Sequence, residues 1–177
     1  GYLMVAIVAA NETAAAGLLF YLLTYTFMNI GAFGIVLLVS RHTEERLEIE
    51  EYAGFGWRQP LLGVVFTIFL LSLAGFPGTA GFMGKVFLLQ GAMEANLVYL
   101  SVILVLTTVA SYWYYLRVAW YMWMRDAPLG DAGEMEEPIH LSVAMRLVLI
   151  VGVVLIMYLG IFPGSTLELA RSSVSGL

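Results

Sequence analysis

The sequence predicts an all-α fold: a polytopic transmembrane helix bundle with one broken helix. Three observations carry this expectation. Of 177 residues, 61% are apolar and only 12% are charged, against roughly 45–50% and 25% in ordinary globular domains. The mean hydropathy is +0.89, which leaves too few charges to build a surface that faces water. The apolar residues also fall into runs near the length needed to cross a bilayer, about 20 residues as a helix. The same composition excludes a disordered or collagen-like chain. The absence of cysteine removes disulfides, thiolate metal sites and cysteine nucleophiles. Eight basic residues with no basic patch argue against nucleic-acid binding. The net charge of −5 points to no partner, because Glu44, Glu45, Glu48, Glu50 and Glu51 lie together in one segment. The chain starts at Gly1, already apolar, with no initiator methionine and no charged n-region. It therefore reads as a piece of a longer protein rather than a whole one.

Taken in order, residues 1–10 are too few to span and read as the end of one helix. Asn11, Glu12 and Thr13 make a polar break in which Asn11 or Thr13 suits an N-cap. Residues 14–40 carry no charge and form the first complete span. Residues 41–60 are a charged loop with Arg41, His42, Arg46 and Arg58 among the glutamates. A long apolar stretch covers 61–93, a turn follows at 94–96, and 97–123 is the next span. A second polar loop, 125–140, contains Pro128, Gly130, Gly133 and Pro138. The last span, 141–162, stops at Pro163 and Gly164. Arg41, Arg46, Arg58, Arg125 and Arg146 fall on one side, against only Arg171 on the other. By the positive-inside rule the two longer loops are cytoplasmic and the C-terminus lies outside. Trp57, Trp120, Tyr121 and Trp123 suit interfacial anchors, or could pack between helices.

The stretch 61–93 is too long for one straight span. It would measure on the order of 50 Å as a helix, against a hydrocarbon core of about 30 Å. At its centre lies Gly75-Phe76-Pro77-Gly78-Thr79-Ala80-Gly81. Pro77 has no N–H to donate, and the glycines ease non-helical angles. Two half-helices, roughly 61–74 and 81–93, joined by a segment unwound at 75–81, are expected. Freed backbone groups cannot face lipid, and discontinuous helices mark ion pathways in many transporters. A plain proline kink has the same local signature.

Lys85 adds the chemistry. It is the only lysine in the chain, and a cation at the bilayer centre costs about 2.5–3.5 kcal/mol on insertion scales. Snorkelling is the alternative. However, Glu94 at the nearest helix end is roughly 13 Å away along the axis, about twice the reach of the side chain. The amine is therefore expected inside the bundle, near the break. There its two protonation states can come close enough in free energy for it to take up and release a proton. Arg117 and Arg146 sit near helix ends and read as snorkelling residues, while His42 and His140 lie in charged loops. Asn29, Thr67, Ser72, Thr79, Thr107, Thr108 and Ser111 could carry a proton wire, or serve ordinary interhelical hydrogen bonds. Tyr112, Trp113, Tyr114 and Tyr115 read as packing and interface rather than a quinone site. The run from Gly78 to Lys85 fails as a phosphate-binding loop, since Val86 stands where Ser or Thr is required. No dinucleotide fingerprint, metal cluster or hydrolase triad is evident, and no redox cofactor is expected in this chain.

The run Ser72-Leu73-Ala74-Gly75-Phe76-Pro77-Gly78-Thr79-Ala80-Gly81-Phe82-Met83-Gly84-Lys85-Val86 resembles the broken-helix signature of the antiporter-like membrane subunits of respiratory complex I, NADH–quinone oxidoreductase. Its SLAGxPxTxGFxGK form is closest to the N type. Similarity continues in Tyr21-Leu22-Leu23-Thr24-Tyr25, in Asn29-Ile30-Gly31-Ala32-Phe33-Gly34 and in Tyr114-Tyr115-Leu116-Arg117-Val118-Ala119. Gly1-Tyr2-Leu3-Met4-Val5-Ala6 also resembles the end of a helix that begins Ser-rich in the family. These anchors cover nearly the whole chain in the family's order.

The resemblance implies the C-terminal fragment of an antiporter-like membrane domain with two inverted five-helix repeats: the end of the tenth and the whole of the eleventh to fourteenth of about fourteen helices, with the broken helix matching the twelfth, in the second repeat. It implies that Lys85 is a proton relay toward the outside, where the M-type sister carries a glutamate. It implies partnership with other membrane subunits of complex I, with the lipid bilayer and with protons. NADH and quinone would be used elsewhere in the complex, in an inner (plasma) membrane. Multi-subunit sodium/proton antiporters share this ancestry and are the alternative reading.

Overall fold

The computed structural model describes residues 1–42, 48–126 and 141–175. The elements are α1 (Tyr2–Ala9), α2 (Glu12–His42), a 3-10 turn (Ile49–Tyr52), α3 (Phe55–Arg58), α4 (Pro60–Ala74), α5 (Ala80–Glu94), α6 (Val98–Met124), α7 (Val143–Ile161) and α8 (Gly164–Ser175). The fold is all-helical among the described residues. The segment Glu12–Ser40 of α2, together with α6 and α7, is long and apolar enough to cross a membrane. Each of α4 and α5 has 15 residues, about 22 Å of helix, so only the pair together matches a bilayer.

Local chemistry sets the helix ends. The chain leaves α1 at Ala10, whose φ of 47° is left-handed, and Asn11 then caps α2. Its side-chain oxygen accepts the Ala14 N–H at 2.7 Å. Its amide also donates to Gly91 O at 2.8 Å, which ties the start of α2 to the far end of α5. Asn11→Ala removes both bonds and is expected to cost about 1–2 kcal/mol. The check is a lowered unfolding midpoint for the full-length chain in detergent. Pro60 opens α4, where its missing N–H costs nothing. Ser142 caps α7 by accepting the Met145 N–H at 3.2 Å.

Small residues set the spacing between helices. A Cβ on Gly91 would lie 2.6 Å from Ala14 Cα, one on Gly84 2.8 Å from the Tyr21 ring, and one on Gly17 3.1 Å from the Phe87 backbone. Along this seam α2 and α5 touch almost backbone to backbone, and their contact is the most extensive in the chain. Phe69 of α4 fills the space between Gly31 of α2 and Gly152 of α7. The main core gathers around Phe20, Met28, Ile35, Phe69, Met122 and Ile156. Large apolar side chains such as Leu61, Val109, Trp113 and Val154 stay uncovered, as on a surface that meets lipid or protein.

Two parts of the chain depart from the sequence expectation. After Pro163 the chain resumes as α8, which rests on α2. Leu167, Ala170 and Val174 give it a short apolar face among serines and charges, a period too brief to stand out beside the spans. In the first long loop, Tyr52 and Phe55 are buried, and a Cβ on Gly56 would strike the Trp123 ring. Trp123 is thus a packing residue, its indole N–H donating to Thr67 Oγ1 at 2.9 Å. Trp57 is exposed, yet its indole N–H donates to Trp123 O at 2.8 Å. Glu44, Glu45 and Arg46, the side chains of Arg41 and His42, and Pro128, Gly130, Gly133, Pro138 and His140 lie outside the described residues.

Candidate functional site at the break between α4 and α5

Helix α4 stops at Ala74 because Gly75 turns left-handed, with φ +93°. The Phe76 N–H then reaches back to Leu71 O at 2.9 Å, and the Gly75 N–H is shared between Leu71 O and Ser72 O at 3.0 Å. This closure satisfies the earlier carbonyls of the last turn. Pro77 and a second left-handed glycine, Gly78 (φ +88°), carry the chain to Thr79. Thr79 is extended and donates its hydroxyl to Phe76 O at 2.7 Å, and α5 starts at Ala80. Ser72 fastens the two half-helices together. Its hydroxyl oxygen accepts the Gly81 N–H at 3.2 Å, and its proton points to the Met28 sulfur at 2.9 Å.

What remains at the end of α4 is a set of carbonyls with no helical partner, and Lys85 takes two of them. Its Nζ donates to Leu73 O at 2.9 Å and to Ala74 O at 2.7 Å. It also lies 5.0 Å from the centre of the Tyr2 ring, over its face. The residue is only 5% exposed. A cation at a helix C-terminus meets the negative end of the dipole, and an aromatic face adds further attraction. The ammonium is therefore held by dipoles. No carboxylate among the described residues pairs with it. The bonds follow from chain length: Lys85 lies one and a half turns into α5, so its stem returns along α5 to the end of α4.

Two cavities adjoin the break. One of about 190 Å³ is lined by Gly75, Phe82, Lys85, Leu104, Thr108 and Tyr112, among others. The second, about 170 Å³, is lined by Tyr2, Tyr21, Tyr25, Leu73, Ser111, Tyr114 and Tyr115, with Gly1 and Leu3. Both are roomy enough for water, which needs only about 10–15 Å³ of such space, and both carry hydroxyls for it to bond. The break is enclosed on one side only. Gly75 is buried, whereas Phe76, Pro77 and Gly78 are exposed.

The structure sorts the remaining candidates. Ser72, Thr79, Thr108 and Ser111 gather around the break. Thr108 Oγ1 lies 3.3 Å from the Tyr2 hydroxyl. Asn29 and Thr107 bond carbonyls of their own helices, and Thr67 serves Trp123. Arg117 does not simply snorkel: it pairs with Glu50 at 3.5 Å and lies over the Tyr121 ring. Arg146 is exposed on α7. Among the described residues no cluster of three or more histidine, aspartate or glutamate side chains could hold a metal. Two contributors were not visible as such in the sequence. Tyr2 supplies the aromatic face, and Tyr112 donates its hydroxyl to Gly75 O at 2.6 Å. The spacing of Thr108, Ser111 and Tyr112 on one helical face was the available signal for the second.

Residues 1–111 match the profile of a family described as NADH:quinone oxidoreductase/Mrp antiporter, transmembrane region. Over 98% of its length the chain is 40% identical to NADH-quinone oxidoreductase subunit N of Trichlorobacter lovleyi, of which it covers 35%. It is 43% identical to subunit N 1 of Sorangium cellulosum, covering 34% of it. The chain thus spans about a third of the length of these relatives. Among solved structures, a chain of respiratory complex I from Thermus thermophilus with bound aureothin superimposes with a TM-score of 0.75. It is 29% identical, over 94% of this chain and 36% of that one.

Proposed function

The chain belongs to the NADH:quinone oxidoreductase/Mrp antiporter family, and from that premise we propose that it is the C-terminal part of a proton-translocating, N-type membrane subunit of NADH–quinone oxidoreductase. The observation that carries this reading is the buried Lys85 amine on the carbonyl end of an interrupted helix, beside a cavity of about 190 Å³. In the proposed step the ammonium transfers one proton to water in that cavity, leaving a neutral amine with two N–H groups and one lone pair. A proton arriving from the rest of the subunit restores it. The drive is a change of charge elsewhere along the membrane domain. Oxidation of NADH and reduction of quinone belong to other subunits, and this chain holds neither cofactor. The partners are other membrane subunits of the complex, the surrounding lipid, and protons. The longer loops face the cytoplasm and the C-terminus faces outward, in keeping with the arginine count. Exposure of Phe76, Pro77 and Gly78 supports assembly, because an interrupted backbone cannot face lipid and requires protein or water against it.

The family also includes ion antiporters, which supplies the competing reading. The two are separated by isolating the full-length chain with its native partners. NADH:quinone oxidoreductase activity is expected to copurify with it and to acidify the vesicle lumen in a sensitive orientation. Sodium-dependent proton exchange with no NADH oxidation in the same fraction would assign the chain to the antiporters.

A further inference from the structure

The end of α4 is held from two directions. From α5, Lys85 Nζ binds the carbonyls of Leu73 and Ala74. From α6, the Tyr112 hydroxyl binds the next carbonyl, that of Gly75, at 2.6 Å. Ser111 also approaches Ala74 O, at 3.4 Å, but its single proton is directed to Thr108 O at 2.6 Å. Tyr112 is therefore the effective hold from α6. Gly75 is the left-handed pivot of the break, and a Cβ placed there would lie 3.1 Å from Lys85 Cδ and Nζ. Pivot, amine and phenol line the same cavity.

These holds differ in what sustains them. The contacts of Lys85 are charge-assisted while it is an ammonium and weaken when the proton leaves, since a neutral amine is a poorer donor. At that moment nothing about the contact of Tyr112 has changed. Resting on the proton-relay reading above, we infer that Tyr112 is a positioning residue for Lys85. Its hydroxyl fixes the Gly75 peptide, so that the carbonyls of Leu73 and Ala74 stay aimed at the amine in both protonation states. Without it, the loosened end of α4 turns toward cavity water as soon as the amine is neutral. That relaxation stabilises the deprotonated state, and recovery of the proton becomes harder. Among the described residues, the other titratable groups around the two cavities at the break are phenols: Tyr2 of α1, which lies over the amine, and Tyr21 and Tyr25 of α2 with Tyr114 and Tyr115 of α6, which line the second cavity.

The test is Tyr112→Phe in the full-length subunit within the assembled complex, reconstituted in vesicles. Proton pumping is measured per electron across pH 6 to 9 and normalised to subunit content. Loss of one hydrogen bond corresponds to about a fivefold change in proton affinity, or about 0.7 of a pH unit. The pH of half-maximal pumping is expected to fall by about that much, whereas a role in packing alone would leave the profile in place. Lys85→Ala is run alongside. If Lys85→Ala stops pumping and Tyr112→Phe leaves the profile unmoved, the positioning role is overturned and the relay stands. If Lys85→Ala pumps normally, the relay falls, and the role of Tyr112 falls with it. Should Tyr112→Phe fail to assemble, 3-fluorotyrosine at position 112 keeps the ring and makes the hydroxyl a stronger donor. The profile is then expected to move to higher pH, and no movement overturns the inference.

Discussion

Lys85→Ala in the full-length chain is expected to slow proton transfer through this helix pair by about 100-fold or more, the scale of a removed acid–base group, while the subunit remains in the membrane. Both halves of that expectation follow from magnitudes. The substitution removes two charge-assisted hydrogen bonds to Leu73 O and Ala74 O, each contributing about 1.5–3 kcal/mol. It also removes a buried cation, whose insertion costs about 2.5–3.5 kcal/mol or more. These largely offset one another, and cavity water can satisfy the two carbonyls. Folding should therefore survive where function does not. Lys85→Arg should also fail, because a guanidinium stays protonated. The measurement is protons moved per electron in vesicles, with subunit content checked by immunodetection. An unchanged ratio at normal content would remove Lys85 from the pathway.

The largest effect on stability is expected at Gly81. A Cβ there collides with the backbone carbonyl of Ser72 and lies 3.0 Å from the Met28 sulfur. Met28 can shift, but the carbonyl cannot do so without parting the two half-helices, whose crossing is also tied by Ser72 Oγ and the Gly81 N–H. Gly81→Ala should cost at least about 3 kcal/mol, the upper end of ordinary overpacking. It should be read as loss of the assembled chain from membranes or a sharply lowered unfolding midpoint in detergent. Gly78→Ala is the internal control. Nothing lies within 4 Å of a Cβ at Gly78, so only its φ of +88° is disturbed, at about 1–2 kcal/mol. Equal losses at the two positions would mean that backbone strain, and not the crossing, governs the break.

The fold class was legible because bilayer thickness turns composition and run length into a structural statement. The interruption was legible for a local reason. Proline and left-handed glycines act on their own peptide units, and Gly75, Pro77 and Gly78 lie within four residues. The cap at Asn11 is equally local. What could not be read were contacts fixed by how helices rotate against one another. The face over Lys85 comes from Tyr2, at the start of the given sequence. The hold on Gly75 comes from Tyr112, which by sequence looked like one more aromatic in an apolar stripe. Arg117 finds Glu50 only because the first long loop folds back along α6. Residue spacing cannot announce such pairs, since they join α1 to α5, and α6 to the break and to the first loop, across crossings that no local pattern encodes.

The seam between α2 and α5, lined by Gly17, Gly84 and Gly91, has a mechanical consequence. Two rods in near-backbone contact along about two turns behave as one beam, and Lys85 is mounted on it. The acceptors of Lys85 sit on α4, which meets α2 through side chains such as Phe69 rather than backbone, and which joins α5 through residues 75–79, tied across by Ser72 and packed on Gly160 of α7. A force arriving at this place is therefore expected to change the spacing between the Lys85 amine and the carbonyls of Leu73 and Ala74 before it moves the amine itself.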